Sequence, residues 1–208
     1  MLISLLFTQP QVFLVWVLCV LIAISVHEFA HAYAGYLEGD DTARVAGRLT
    51  FNPLAHIDWI GLILLILIGF GWGKPVPFNP FKLKHKRFGP ALVAIAGPLS
   101  NLMMVILVGV VLKLVISFTS INPENLLITF LVSLIQINLI LMLFNLIPIP
   151  PLDGSKILYS FLPYKYLKIK VFLDAYGMWL LLGLIFIGGD LLSILFNFFY
   201  NLVLMVLL

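Results

Sequence analysis

Four stretches of this chain, residues 12–37, 88–117, 126–147 and 173–208, are apolar over the ~20 residues that an α-helix needs to cross a bilayer. A soluble domain has no use for so much uninterrupted apolar sequence. Only 10% of the 208 residues are charged, against roughly 25% in soluble domains, and the mean hydropathy is +1.15. This balance excludes a disordered tail, a nucleic-acid binder and an ordinary cytosolic enzyme. It predicts an all-α polytopic membrane protein with about four to five transmembrane helices. The last stretch is long enough for one span plus a re-entrant or interfacial piece, and Gly188-Gly189-Asp190 is its natural break. No internal repeat or linker divides the chain. It reads as a single domain over 1–208, with a core at about 12–156 and a C-terminal helical segment at about 173–208. Cys19 is the lone cysteine, so no intramolecular disulfide is expected. The first Lys or Arg is Arg44, so a cleavable signal is not expected and the first span should remain in place.

Charge placement orients the spans. Of twelve basic residues, Arg44, Arg48, Lys74, Lys82, Lys84, Lys86, Arg87, Lys156, Lys165, Lys168 and Lys170 fall in three connections, and only Lys113 lies in a span. The connection 118–125 has none. By the positive-inside rule the three basic connections are cytoplasmic in a multi-pass cell-membrane protein. This requires the short apolar stretch 57–72 to enter and leave on one face. It is expected to be a cytoplasmic-side re-entrant hairpin after the first helix.

Two acidic residues lie well inside apolar sequence, Glu28 and Asp153. Glu28 belongs to His27-Glu28-Phe29-Ala30-His31, the H-E-x-x-H pattern. On a helix, His27 and His31 share a face and can offer two imidazoles to one Zn²⁺, with Glu28 beside them as a general base. With four His and three Glu in the chain, chance supplies about 0.001 such patterns. The bland alternative is two histidines satisfied by neighbouring helices, but ionisable groups at this depth are costly and usually functional. His27 lies fifteen residues beyond Val12, hence roughly 22 Å into a core of about 30 Å.

A catalytic zinc takes three protein ligands and leaves a position open. Candidates for the third are His56, Asp58, His85 and Asp153. Topology favours Asp153: the 126–147 helix returns toward the cytoplasmic face, and Pro148, Pro150 and Pro151 then break it just before Asp153. Irregular backbone at membrane depth is tolerated where protein buries it or water reaches it. On its own Asp153 also reads as the N-cap of a short helix.

These residues carry a resemblance. The chain resembles the site-2 protease family of intramembrane zinc metalloproteases, in its small bacterial and archaeal branch without a PDZ or CBS domain. His27-Glu28-Phe29-Ala30-His31 is similar to that family's H-E-x-x-H helix, and residues 145–154 to its N-x-x-P-x-P-x-L-D-G motif. Further similarity lies at 47–58, Gly73-Lys74-Pro75-Val76-Pro77 and Ala96-Gly97-Pro98-Leu99-Ser100-Asn101. The resemblance implies one Zn²⁺ per chain held by His27, His31 and Asp153, and Glu28 as general base. It also implies that Asn145, with Pro148 and Pro150, helps hold an unwound substrate strand. Substrates would be single-span membrane proteins cut within or near the bilayer. Asn101 is expected near the site, orienting a ligating histidine. Asn138 is expected to tie helices together, and His56 to be a loop residue. A non-catalytic zinc scaffold and a metal transporter are the competing readings; the absence of an inverted repeat speaks against the transporter.

Overall fold

In the computed structural model, which describes residues 2–69 and 71–207, the chain is helical and holds no β-strand among the described residues. A short helix α1 (Leu2–Thr8) leads into α2 (Pro10–Leu37), and a one-turn helix α3 (Thr42–Val45) follows. Then come α4 (Trp59–Ile68), α5 (Gly89–Phe118) and α6 (Leu126–Asn145). The chain ends with α7 (Asp153–Phe161), α8 (Leu167–Ile187) and α9 (Gly189–Leu207). Helices α2, α5, α6, α8 and α9 are long and apolar enough to span a membrane. The C-terminal stretch is therefore two span-length helices, divided at Gly188. Helix α8 begins at Leu167, ahead of the expected 173, because Lys168, Lys170 and Asp174 lie on its first turns rather than in a loop.

Local chemistry sets the boundaries. Pro10 opens α2 where its missing N–H costs nothing. The Asn125 side chain accepts the Leu127 N–H at the start of α6, at 2.8 Å. Asp58 does the same for the Gly61 N–H at the start of α4, at 2.9 Å. Gly69 ends α4 with φ +82°, a left-handed cap that suits glycine.

Helices α2, α5 and α6 form the centre. Cys19, Val20 and Ala23 of α2 meet Val105, Val108 and Leu112 of α5 and the buried face of α6, and α9 packs on the outside. In a bilayer such packing rests on close fit rather than escape from water, which favours small residues at crossings. The ends of the 57–73 segment meet: the Lys74 N–H donates to the His56 carbonyl at 2.8 Å. Neither Gly61 nor Gly71 has room for a Cβ: at Gly61 it would meet the Trp72 backbone, and at Gly71 the Gly61 carbonyl. The segment therefore doubles back on itself beside the half of α2 that carries His27 and Glu28.

Candidate metal centre

The H-E-x-x-H turn of α2 faces α5 and the start of α7. His27, His31 and Asp153 are all buried. His31 Nε2 lies 3.0 Å from His27 Nε2. Asp153 Oδ2 lies 3.2 Å from His27 Nε2 and 2.9 Å from His31 Nε2. Donors on a tetrahedral zinc with bonds of about 2.05 Å stand roughly 3.3 Å apart, so the triangle is close to that size. Among the described residues these three form the cluster of metal-ligating side chains. His56 lies apart, its Nε2 set 2.8 Å from the Thr50 carbonyl; Asp58 caps α4 and His85 pairs with Glu38.

Protons decide what the triangle can hold. The relay begins at the Leu134 carbonyl, which accepts from Asn138 Nδ2 at 2.8 Å and so fixes that amide's orientation. Asn138 Oδ1 then accepts from Asn101 Nδ2 at 2.8 Å, which turns Asn101 Oδ1 toward His27 Nδ1 at 2.6 Å. His27 must carry its proton on Nδ1. His31 Nδ1 faces the Val93 carbonyl at 2.7 Å and carries its proton there too. In the neutral imidazoles both Nε2 atoms are then bare acceptors. Two lone pairs and a carboxylate oxygen converge with no hydrogen between them, a buried arrangement that calls for a cation. The donor set fits zinc, which accepts imidazole and carboxylate together.

Helix α5 comes close enough to shape this triangle only because residue 97 is glycine. A Cβ there would lie 2.6 Å from Cε1 of both His27 and His31. Asn138 ties α6 to α5, as expected, and does so through Asn101, which it thereby supports; both are fully buried.

Glu28 is half-buried, and its Oε2 accepts the Val76 N–H at 3.1 Å. Val76 lies on a non-helical strap, residues 73–78, whose Pro75 carbonyl accepts from Arg48 at 3.4 Å. All four motif side chains line a cleft of about 670 Å³. Its polar end holds the triangle, Glu28 and Lys156; its apolar end is walled by Trp16, Leu21, Leu62, Leu65 and Ile140. Asn145 lines the cleft with its Nδ2 bound to its own helix at the Leu141 carbonyl, 3.0 Å away. Pro151 also lines it, whereas Pro148 is exposed and Pro150 packs against Gly177 of α8.

Comparison with known proteins agrees with the motifs. Peptidase family M50 matches over residues 115–187, which include Asp153. YwhC of Bacillus subtilis (strain 168), which carries the name "Putative zinc metalloprotease", is 42% identical over 154 residues, covering 71% of this chain and 68% of its own. Rip2 of Mycolicibacterium smegmatis, similarly named, is 31% identical over 145 residues, covering 64% of this chain. The chain spans about half the length of Rip2, 52%. No solved structure matches. With a relative this similar aligned over most of both chains, the protein belongs to peptidase family M50, the site-2 protease family whose paired motifs it carries.

Proposed function

We propose that this chain is an intramembrane zinc metalloprotease that hydrolyses peptide bonds of single-span membrane proteins within or just beside the bilayer. The observation that carries the reading is the convergence of two imidazole nitrogens and a carboxylate oxygen, at 2.9 to 3.2 Å, beside a carboxylate that is not one of them. His27, His31 and Asp153 would hold the zinc, which when bound makes water acidic near neutral pH and polarises a carbonyl.

The chain's own residues do the rest. Glu28 follows His27 directly and opens on the same cleft, so it can take a proton from water there and deliver it to the leaving amine. The Val76 N–H holds one of its oxygens and leaves the other to work. The Asn101 and Val93 acceptors keep both imidazoles from turning. A helical substrate has its carbonyls occupied by i to i+4 bonds, so a few residues must unwind before cleavage. The apolar end of the cleft suits the helical part of such a substrate. The hairpin 57–73 and the loop through Asn145 would receive the unwound part by strand-like pairing. The 57–73 hairpin dips into the cytoplasmic side of the cell membrane in this reading, following the basic connections.

Glu28→Gln tests the proposal. The expected result is about one zinc per chain with cleavage of a generic single-span substrate lowered by roughly 10²- to 10⁴-fold. A Glu28→Gln chain that cleaves like wild type overturns the assignment of the base. A wild type that binds zinc and cleaves nothing supports a scaffold instead, although a structural zinc is closed by four protein ligands and the cluster here has three.

A further inference from the structure

In sequence, Lys156 is one of the basic residues that mark a side of the membrane. In the fold it stands one turn after Asp153 on α7, and its Nζ donates to Asp153 Oδ1 at 3.0 Å. The other oxygen, Oδ2, is the one that faces both imidazoles. The two oxygens of one buried carboxylate thus face different partners, an ammonium at Oδ1 and the two imidazoles at Oδ2. The Lys156 side chain is 38% exposed and that of Asp153 only 8%, so the ammonium reaches its partner from the open cleft. Phe78 of the strap, its ring 5.7 Å from the ammonium, lines the same cleft.

A carboxylate can bind a cation through one oxygen or both, and the choice changes how many positions remain. An ammonium on Oδ1 occupies that oxygen's lone pairs and draws off its charge. The geometry points to Lys156 as the residue that keeps Asp153 a one-oxygen ligand, so that a position at the metal stays open for water. This rests on the metalloprotease reading above. Lys156 acts through Asp153 and is a positioning residue. An ordinary i,i+3 ion pair would only steady α7. Here one partner is buried and its second oxygen belongs to the metal triangle, so removing the ammonium leaves Oδ1 to find another cation. A metal held by the triangle would be that cation.

The test uses the full chain in detergent, loaded with cobalt(II) in place of zinc, because cobalt's visible absorption is intense at four-coordination and weak at five. Wild type and Lys156→Arg should give the intense spectrum. Lys156→Met should keep about one metal per chain, shift to the weak spectrum, and lose roughly 10- to 100-fold in kcat with KM little changed. Lys156→Gln carries the same expectation should the methionine variant fail to fold. A Lys156→Met or Lys156→Gln chain with the wild-type spectrum and kcat overturns the inference. A wild type that takes up no cobalt removes the metal centre, and this inference with it.

Discussion

Gly97→Ala adds one methyl group where α5 meets the two imidazoles. Its Cβ would sit 2.6 Å from each Cε1, whereas ordinary contact begins at 3.4 Å. His31 Nε2 would be nearer still, so the rings or the helix must give way by at least ~0.8 Å, several times the ~0.2 Å tolerance of a zinc–ligand distance. Overpacking of this kind costs about 1–3 kcal/mol, and alanine's better helix propensity returns about 1 kcal/mol. The fold should survive while the triangle does not. The expected loss in zinc affinity is roughly ten- to a hundredfold, each tenfold corresponding to about 1.4 kcal/mol. Competition against a chromophoric chelator in detergent measures it, with thermal unfolding recorded in parallel. Gly35→Ala is the control: it lies one turn beyond His31, and its Cβ would meet only Val93 Cγ2, at 4.0 Å. Equal zinc affinity in Gly97→Ala and Gly35→Ala would refute the claim that α5 shapes the metal site.

Other consequences follow from the same contacts. Asn138→Leu removes the shorter of the two hydrogen bonds that orient the Asn101 amide and leaves it the Ala23 carbonyl at 3.4 Å, at about 1 kcal/mol; zinc affinity should fall roughly tenfold or more, and an unchanged affinity would break the relay argument. Gly71→Ala drives a Cβ to 2.7 Å from Leu65 Cβ and against the Gly61 carbonyl; zinc content should hold while cleavage drops, and undiminished cleavage would free the 57–73 hairpin from any role. The Glu38 carboxyl, first by its hydrogen bond from His85, is held below the usual carboxylate range. Its hold on the 79–87 loop is therefore complete above the unfolded value of about 4.3 and fades as pH falls through the lower folded value. Hydrogen exchange at the His85 amide should show protection at pH 6 that declines on acidification below about 4.3, and protection that Glu38→Gln leaves intact would contradict this.

The parts of the site legible in sequence were those whose residue types are rare in apolar surroundings. His27, Glu28, His31 and Asp153 stand out because a buried charge is costly unless it is used. The spans were legible for the same reason, although Gly188 proved to divide two full helices. Asn138 was harder to read, since a lone amide in a span also serves simply to join helices; only the Leu134 carbonyl and Asn101, one on its own helix and one on another, reveal its direction. Gly97 was visible only as part of a motif, because its importance lies in an atom it lacks. The Val76 donor to Glu28 is a backbone N–H, which every residue but proline carries, so no residue type could announce it. Lys156 was counted with the other basic residues, and its single specific contact appears only once α7 places it over Asp153.

The central claim is that His27, His31 and Asp153 together hold one zinc. Zinc content by elemental analysis of the purified full chain, wild type against Asp153→Ala, tests it most directly. The account predicts about one zinc per chain in wild type and a clear loss in Asp153→Ala at unchanged folding. Full zinc in Asp153→Ala would contradict it and require another third ligand.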